Sequence, residues 1–130
     1  MKLSRTIAYA IQATIELGAA GPNAVVASRK LAEAGGIPDR FLLQILRNLV
    51  AHGILKSTRG VVGGYTLNRD IQEISLLDII EAIEGPVTLD IPLSSPNHEA
   101  LHLALSSTTL GVRRELSSLT LDQLLAKPAA

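Results

Sequence analysis

The chain contains no cysteine, and that one absence closes several routes to function. Disulfides, thiolate metal sites and cysteine-held iron–sulfur clusters are all excluded. Aromatic residues are nearly missing as well, with two tyrosines, one phenylalanine and no tryptophan. Because 47% of the residues are nonetheless apolar, the core has to be aliphatic, built from Leu, Ile, Val and Ala. No apolar run reaches the roughly 18 residues of a membrane span. The N-terminus imitates a secretion signal, with Lys2 and Arg5 ahead of an apolar stretch, but Gln12 and Glu16 interrupt it. A cytoplasmic protein without membrane attachment is expected, and 130 residues suit one compact unit.

Net charge is also absent, since 12 Lys and Arg balance 12 Asp and Glu. The balance is uneven along the chain. Residues 1–69 carry nine basic and three acidic side chains, a net +6, whereas residues 70–130 carry three basic and nine acidic, a net −6. A basic first half points to a polyanion partner. Solvated surfaces also fluctuate in charge, so position along the fold has to decide.

What is present organises itself around glycine and proline. Ile7, Ala8, Ile11, Ile15 and Ala19 recur at helical spacing and predict an amphipathic helix from about Leu3 to Ala20, stopped by Gly21-Pro22. Ser28 is placed to cap a short helix through Ala34, and Gly35-Gly36 then forces a turn. Pro38 and Asp39 open a third helix that runs to about Ala51, with Gly53 suited to a left-handed end. Phe41, Leu42, Ile45, Leu46, Leu49 and Val50 form its expected buried side. Helix, tight glycine turn and helix make a helix-turn-helix.

Ile54 to Thr58 and Tyr65 to Arg69 then read as strands around the glycine-rich tip RGVVGG, a two-stranded wing. Ser75 and Asp78 resemble a capping box for a further helix, with Leu76, Ile79, Ile80 and Ile83 on one face and Gly85-Pro86 at its end. Pro86, Pro92 and Pro96 with Ser94-Ser95 mark a linker. A long helix to about Leu119 follows, with an apolar stripe of Leu101, Leu105, Thr108, Val112, Leu116 and Leu119. Such a stripe with little chain left to cover it points to a second copy as partner. The expected fold is mainly α with a small β wing. A winged helix-turn-helix domain spans residues 1–85, a linker 86–97, and a dimerisation helix with C-terminal tail 98–130.

On the third helix Arg40, Leu43, Gln44 and Arg47 lie together opposite the buried side. Arg can fork onto guanine, Gln can pair with adenine, and an apolar side chain can meet a thymine methyl. Arg40 and Gln44, near the helix start, are the candidate base readers. Leu43 either contacts a thymine methyl or packs against a neighbouring element. Arg59 at the wing tip is suited to a minor groove, where the potential is most negative. Lys56, Arg69, Arg29, Lys30, Arg5 and Lys2 are candidate phosphate neighbours.

These same residues carry a resemblance. Tyr9-Ala10-Ile11, Ile37-Pro38, Phe41-Leu42, Ile45-Leu46 and Gly53-Ile54 accompany a wing of the form Ser57-x-Arg59-Gly60-x-x-Gly63-Gly64-Tyr65-x-Leu67. With Leu77-Asp78-Ile79-Ile80 through Glu84-Gly85, the pattern is similar to the Rrf-two (Rrf2) family of bacterial regulators, that of IscR, NsrR and CymR. It covers residues 1–85 well and the last helix loosely. The resemblance implies a homodimeric winged-helix repressor on double-stranded DNA with an inverted-repeat operator. It puts the third helix in the major groove and Arg59 in the minor groove, and it adds Tyr9 and Gly60 to the candidate DNA-binding residues. Cluster-sensing members hold iron through cysteines in the region of residues 90–106 here. With no cysteine that role is not carried over, no cofactor is expected, and the signal is a small molecule, a partner protein, or none.

One motif points elsewhere. His98-Glu99-Ala100-Leu101-His102 is a literal H-E-x-x-H, the helical arrangement of zinc hydrolases. His98 and His102 are therefore candidate metal ligands for an alternative function as a metal-binding protein or metal-dependent hydrolase. Against it, Leu105 and Thr108 stand where a metzincin extension would need Gly and His, and little chain remains for a substrate cleft. Surface histidines on a solvated helix are the competing reading, and no catalytic residue is assigned.

Overall fold

A computed structural model describes residues 2–125; Lys127 and the rest of the expected tail, residues 126–130, lie outside them. Helix α1 (Arg5–Ala19) begins where Ser4 accepts a hydrogen bond from the Ile7 amide at 3.2 Å, replacing one of the partners the first turn lacks. It is the central element, packing against α2 (Ser28–Gly35), α3 (Asp39–Ala51), α4 (Leu76–Glu84) and α6 (Leu121–Leu125). The buried face of α1 differs from the expected stripe. Ile7, Ala10, Ala13, Thr14 and Leu17 are buried, while Ala8 and Ala19 are exposed and Ile11 and Ile15 only half-buried. Four neighbouring helices need close approach, which small Ala10 and Ala13 permit. Thr14 is tolerated there because its hydroxyl donates to the Ala10 carbonyl at 2.8 Å.

Ser28 does not cap α2. It is the first helical residue, and Ala27 occupies the cap position without a side-chain bond. The reason lies across the molecule: Val26 exchanges two backbone hydrogen bonds of 2.9 Å with Tyr65, fixing the chain so that the helix starts directly after it. Gly36 (φ +60) makes the expected turn by ending α2 in the left-handed region, and Gly53 (φ +74) gives α3 the left-handed end expected of it.

The wing consists of β1 (Leu55–Thr58) and β2 (Gly64–Leu67), antiparallel, in the register Leu55 to Leu67 and Thr58 to Gly64. Ser75 and Asp78 form a reciprocal capping box at α4, with bonds of 3.1 and 3.0 Å. After α4 the chain passes through residues 85–95 and a 3-10 turn (Pro96–His98) into α5 (Glu99–Ser118). Leu121, just beyond, is fully buried in the core of the first helices. Its amide donates to the Ile74 carbonyl, and the Leu76 amide to the Leu119 carbonyl, both at 2.8 Å, so the end of α5 is tied to the start of α4.

Candidate nucleic-acid interface

Helix α3 buries Leu42, Ile45, Leu46 and Leu49, and this leaves Arg40, Leu43, Gln44 and Arg47 exposed together on the other side. Phe41 departs from expectation. It is 49% exposed rather than buried, and the Arg40 guanidinium lies 5.4 Å from its ring centroid. A cation–π contact of that kind restricts Arg40 at a cost in burial of Phe41. Leu43 is 42% exposed and stands outside the core cluster. Gln44 donates to the Asn48 side-chain oxygen at 3.2 Å, one turn along, which leaves its own carbonyl free.

The wing holds Arg59 clear of the fold, at the start of the loop between β1 and β2. Gly60 takes φ +122, a region side chains avoid, and its carbonyl accepts from the Gly63 amide at 3.0 Å. Gly64 is required for a different reason. A Cβ there would stand 2.4 Å from the Val26 carbonyl oxygen, because the Val26–Tyr65 bridge brings the two backbones together. Behind the tip Tyr65 and Leu67 are half-buried against the core. At the tip Val61 and Val62 are the most exposed apolar side chains, at 106% and 87%. Sequence reasoning passed over them, although an apolar pair between glycines at a loop tip was a visible signal.

The remaining basic candidates divide. Lys2, Arg29 and Lys30 are exposed. Tyr9 is half-buried against the core, so most of its ring serves packing. Lys56 sits at the base of the wing, where it lines a cleft with Arg69. Arg69 is turned inward, 3.5 Å from Asp78 and 3.4 Å from the Glu73 carbonyl.

Helix α5 buries none of its residues. Of the expected stripe, Leu101 (37%) and Leu119 (38%) are exposed, while Leu105, Val112 and Leu116 are half-buried. Leu103 (66%) and Leu110 (63%), seven residues apart, form a second exposed apolar position on the opposite side of the helix. One ionic link holds α5 to α4. Arg113 forks onto Glu81, with the second bond at 3.2 Å, and the Val87 amide also donates to Glu81 at 2.7 Å.

The Arg113 hydrogen bond, and then the Val87 amide, outweigh burial and hold the Glu81 carboxyl below its ordinary 4.5. Its ionised form is therefore favoured in the folded chain. The resulting stability is present above the ordinary carboxylate value and is lost as pH falls through the lowered one. Thermal unfolding followed from pH 7 into the acid range should show a Tm decline that is shallower in Glu81→Gln.

The H-E-x-x-H residues lie where the 3-10 turn passes into α5. His98 ends the 3-10 turn, Glu99 is exposed, and His102 Nε2 is engaged with the Leu93 carbonyl. Among the described residues no three His, Asp or Glu side chains converge as metal ligands. The same donor set does not fit an iron–sulfur cluster, which needs thiolates that this chain lacks. Among the described residues no helix is long and apolar enough to cross a membrane.

Comparison with known proteins places this geometry. Residues 3–127 match the model of the Rrf2 family, described as iron-dependent transcriptional regulators. Rv1287 of Mycobacterium tuberculosis, named as a candidate HTH-type transcriptional regulator, is 35% identical over 99% of this chain and 81% of its own. The structure of CymR, the global cysteine regulator of B. subtilis, superposes with a TM-score of 0.83 at 27% identity, over 96% of both chains. That of IscR from T. potens gives 0.75 at 30% identity, over 96% of this chain and 86% of the other.

Proposed function

The chain belongs to the Rrf2 family of winged-helix, DNA-binding transcriptional regulators, and from that premise we propose that it acts as a homodimeric repressor on an inverted-repeat operator. It is not an enzyme, and it works in the cytoplasm without an iron–sulfur cluster. One observation carries the reading: α3 leaves Arg40, Leu43, Gln44 and Arg47 exposed together while a glycine-built wing holds Arg59 free. In this reading Arg40 and Gln44 read base edges, Leu43 meets a thymine methyl, and Arg59 enters the minor groove. Arg47, Arg29 and Lys2 neutralise phosphates, and the backbone at Gly60 approaches closely. Lys56 and Tyr9 stand at the margin of this surface.

The division of labour follows the sequence expectation: residues 1–85 hold DNA, 86–97 link, and the helix within 98–130 pairs two chains. A 20-residue helix with no fully buried residue in its own chain favours such pairing, because most helical stability in proteins comes from packing of an apolar face. Leu101, Leu105, Val112, Leu116 and Leu119 supply the apolar contact. Two modules related by a two-fold axis then reach half-sites about one helical turn, or a multiple of it, apart.

Gly111 offers a test of this pairing. A Cβ there meets nothing within 4 Å in the single chain, so Gly111→Ala should stabilise α5 by about 1 kcal/mol through helix propensity alone. If the Gly111 side faces a second helix, the same change weakens the dimer, and sedimentation at low concentration reads the difference. Selection of genomic fragments by the purified protein tests the DNA reading. Fragments sharing an inverted repeat support it, and retention without sequence preference contradicts it.

A further inference from the structure

The base of the wing, away from its tip, carries a cleft that shares only Lys56 with the margin of the proposed DNA surface. Its volume is about 360 Å³, within the range of small-molecule sites. One wall is the end of α1 and the loop behind it, with Pro22 and Asn23; the other is Lys56 and the segment from Leu67 to Gln72. Asn23 stands at φ +62, the only non-glycine residue at positive φ among those described. Asparagine tolerates that conformation, and such residues recur at ligand clamps.

The chemistry of the walls is one-sided. Lys56 and Arg69 contribute two cations against the single acid Asp70, with Asn23, Asn68 and Gln72 adding amides. Asn68 is already committed, donating to the Gly53 carbonyl at 3.1 Å. Arg69 is only half committed. Its bonds to Asp78 and the Glu73 carbonyl are long, at 3.5 and 3.4 Å, and its Nε is buried without a partner. Leu67, Ile71 and Pro22 give the cleft an apolar side. Two cations lining one cleft beside an apolar wall match a carboxylate on a short apolar body.

We propose that this cleft binds a small organic carboxylate and that its occupancy changes DNA affinity through the wing. Lys56 lies in the strand that leads to Arg59, and Leu67 is paired with Leu55 in the same hairpin. A ligand that draws Lys56 and Arg69 towards the end of α1 therefore fixes the attitude of the hairpin that carries Arg59. The regulatory half rests on the DNA-binding reading above, whereas the binding half does not.

Calorimetric titration of the full chain with isovalerate, lactate and inorganic phosphate at constant ionic strength tests the binding half. Isovalerate should bind saturably and more tightly than phosphate. Asp70→Asn should tighten it and Gln72→Glu weaken it, each by roughly three- to fivefold. Both variants should retain ligand-free binding to a selected operator, and isovalerate should shift that binding in the native chain more than in Gln72→Glu. No saturable heat with either carboxylate, or affinities blind to both substitutions, overturns the site. Phosphate binding as tightly as isovalerate overturns the choice of carboxylate. Ligand binding that leaves operator affinity unchanged overturns the regulatory half. Failure of the ligand-free protein to bind any DNA counts against the DNA-binding reading instead, and the calorimetry still decides the site.

Discussion

Arg59→Ala is expected to lower operator affinity by about 1–3 kcal/mol, roughly 5- to 150-fold, without changing the fold. The side chain is exposed at the start of the wing loop and makes no hydrogen bond or ion pair among the described residues, so its loss costs the free protein little. In a narrow minor groove the same guanidinium meets the most negative potential on DNA. The loss should therefore concentrate on operators with A·T-rich wing positions and shrink on G·C-rich ones. A phosphate contact such as Arg29 should behave differently. Its removal weakens binding to all sequences alike and reduces the slope of log affinity against log salt by about 1. Titrations of native and variant protein on two operators at three salt concentrations separate the two roles.

Gly64→Ala is expected to be the most damaging single change in the wing, costing roughly 3 kcal/mol of stability. The added Cβ would stand 2.4 Å from the Val26 carbonyl oxygen and 2.9 Å from the Ala27 nitrogen, which are backbone atoms and cannot swing aside. Relief requires breaking the Val26–Tyr65 bridge, and with it both 2.9 Å hydrogen bonds between the wing and the start of α2. Against a total stability of about 5–15 kcal/mol, a loss of that size leaves a folded but weakened protein. DNA affinity should fall further than stability alone explains, since the wing and the helix pair lose their fixed relation. Gly111→Ala adds the same methyl group where nothing stands within 4 Å in the single chain, so it gives the comparison for the stability of the isolated chain but not for DNA affinity. Chemical denaturation and amide exchange at Tyr65 check both expectations.

The parts of the fold that were legible in the sequence share a cause. Gly36 and Gly53 end helices in backbone conformations that glycine favours, and Ser75 with Asp78 closes a capping box within four residues. Such features are local, so the sequence displays them directly. Structure departs from local pattern where distant segments decide. Alanine carries too little hydrophobicity to mark a face, so the spacing of Ile7, Ala8, Ile11, Ile15 and Ala19 points α1 inward along the wrong line, whereas Ala10 and Ala13 are fully buried. Ser28 was a sound cap by local rules until Val26 paired with Tyr65 and moved the helix start. Leu121 belongs to the core through a return of the chain that no periodicity announces.

The candidate interface divides the same way. Arg40, Gln44, Arg47 and Arg59 could be named because a polar face opposite an aliphatic one, and an arginine among glycines, are sequence patterns. Phe41 misleads, since its helical spacing puts it on the buried side whereas it is 49% exposed with the Arg40 guanidinium over its ring. Lys56 and Arg69 look like any basic residues in the sequence. Only the fold brings them into one cleft beside Asp70 and turns Arg69 towards Asp78.

Hydroxyl-radical footprinting of a selected operator, with native protein and Arg59→Ala side by side, tests the central claim most directly. It reads sugars through the minor groove on both strands. The native chain should protect two segments related by a two-fold axis on one face of the duplex, about one helical turn or a multiple apart. Arg59→Ala should lose the minor-groove protection at each wing position and keep the two-fold pattern. Protection of a single unrepeated segment, or a footprint identical in the two proteins, would contradict a dimer that reads DNA with its third helix and its wing.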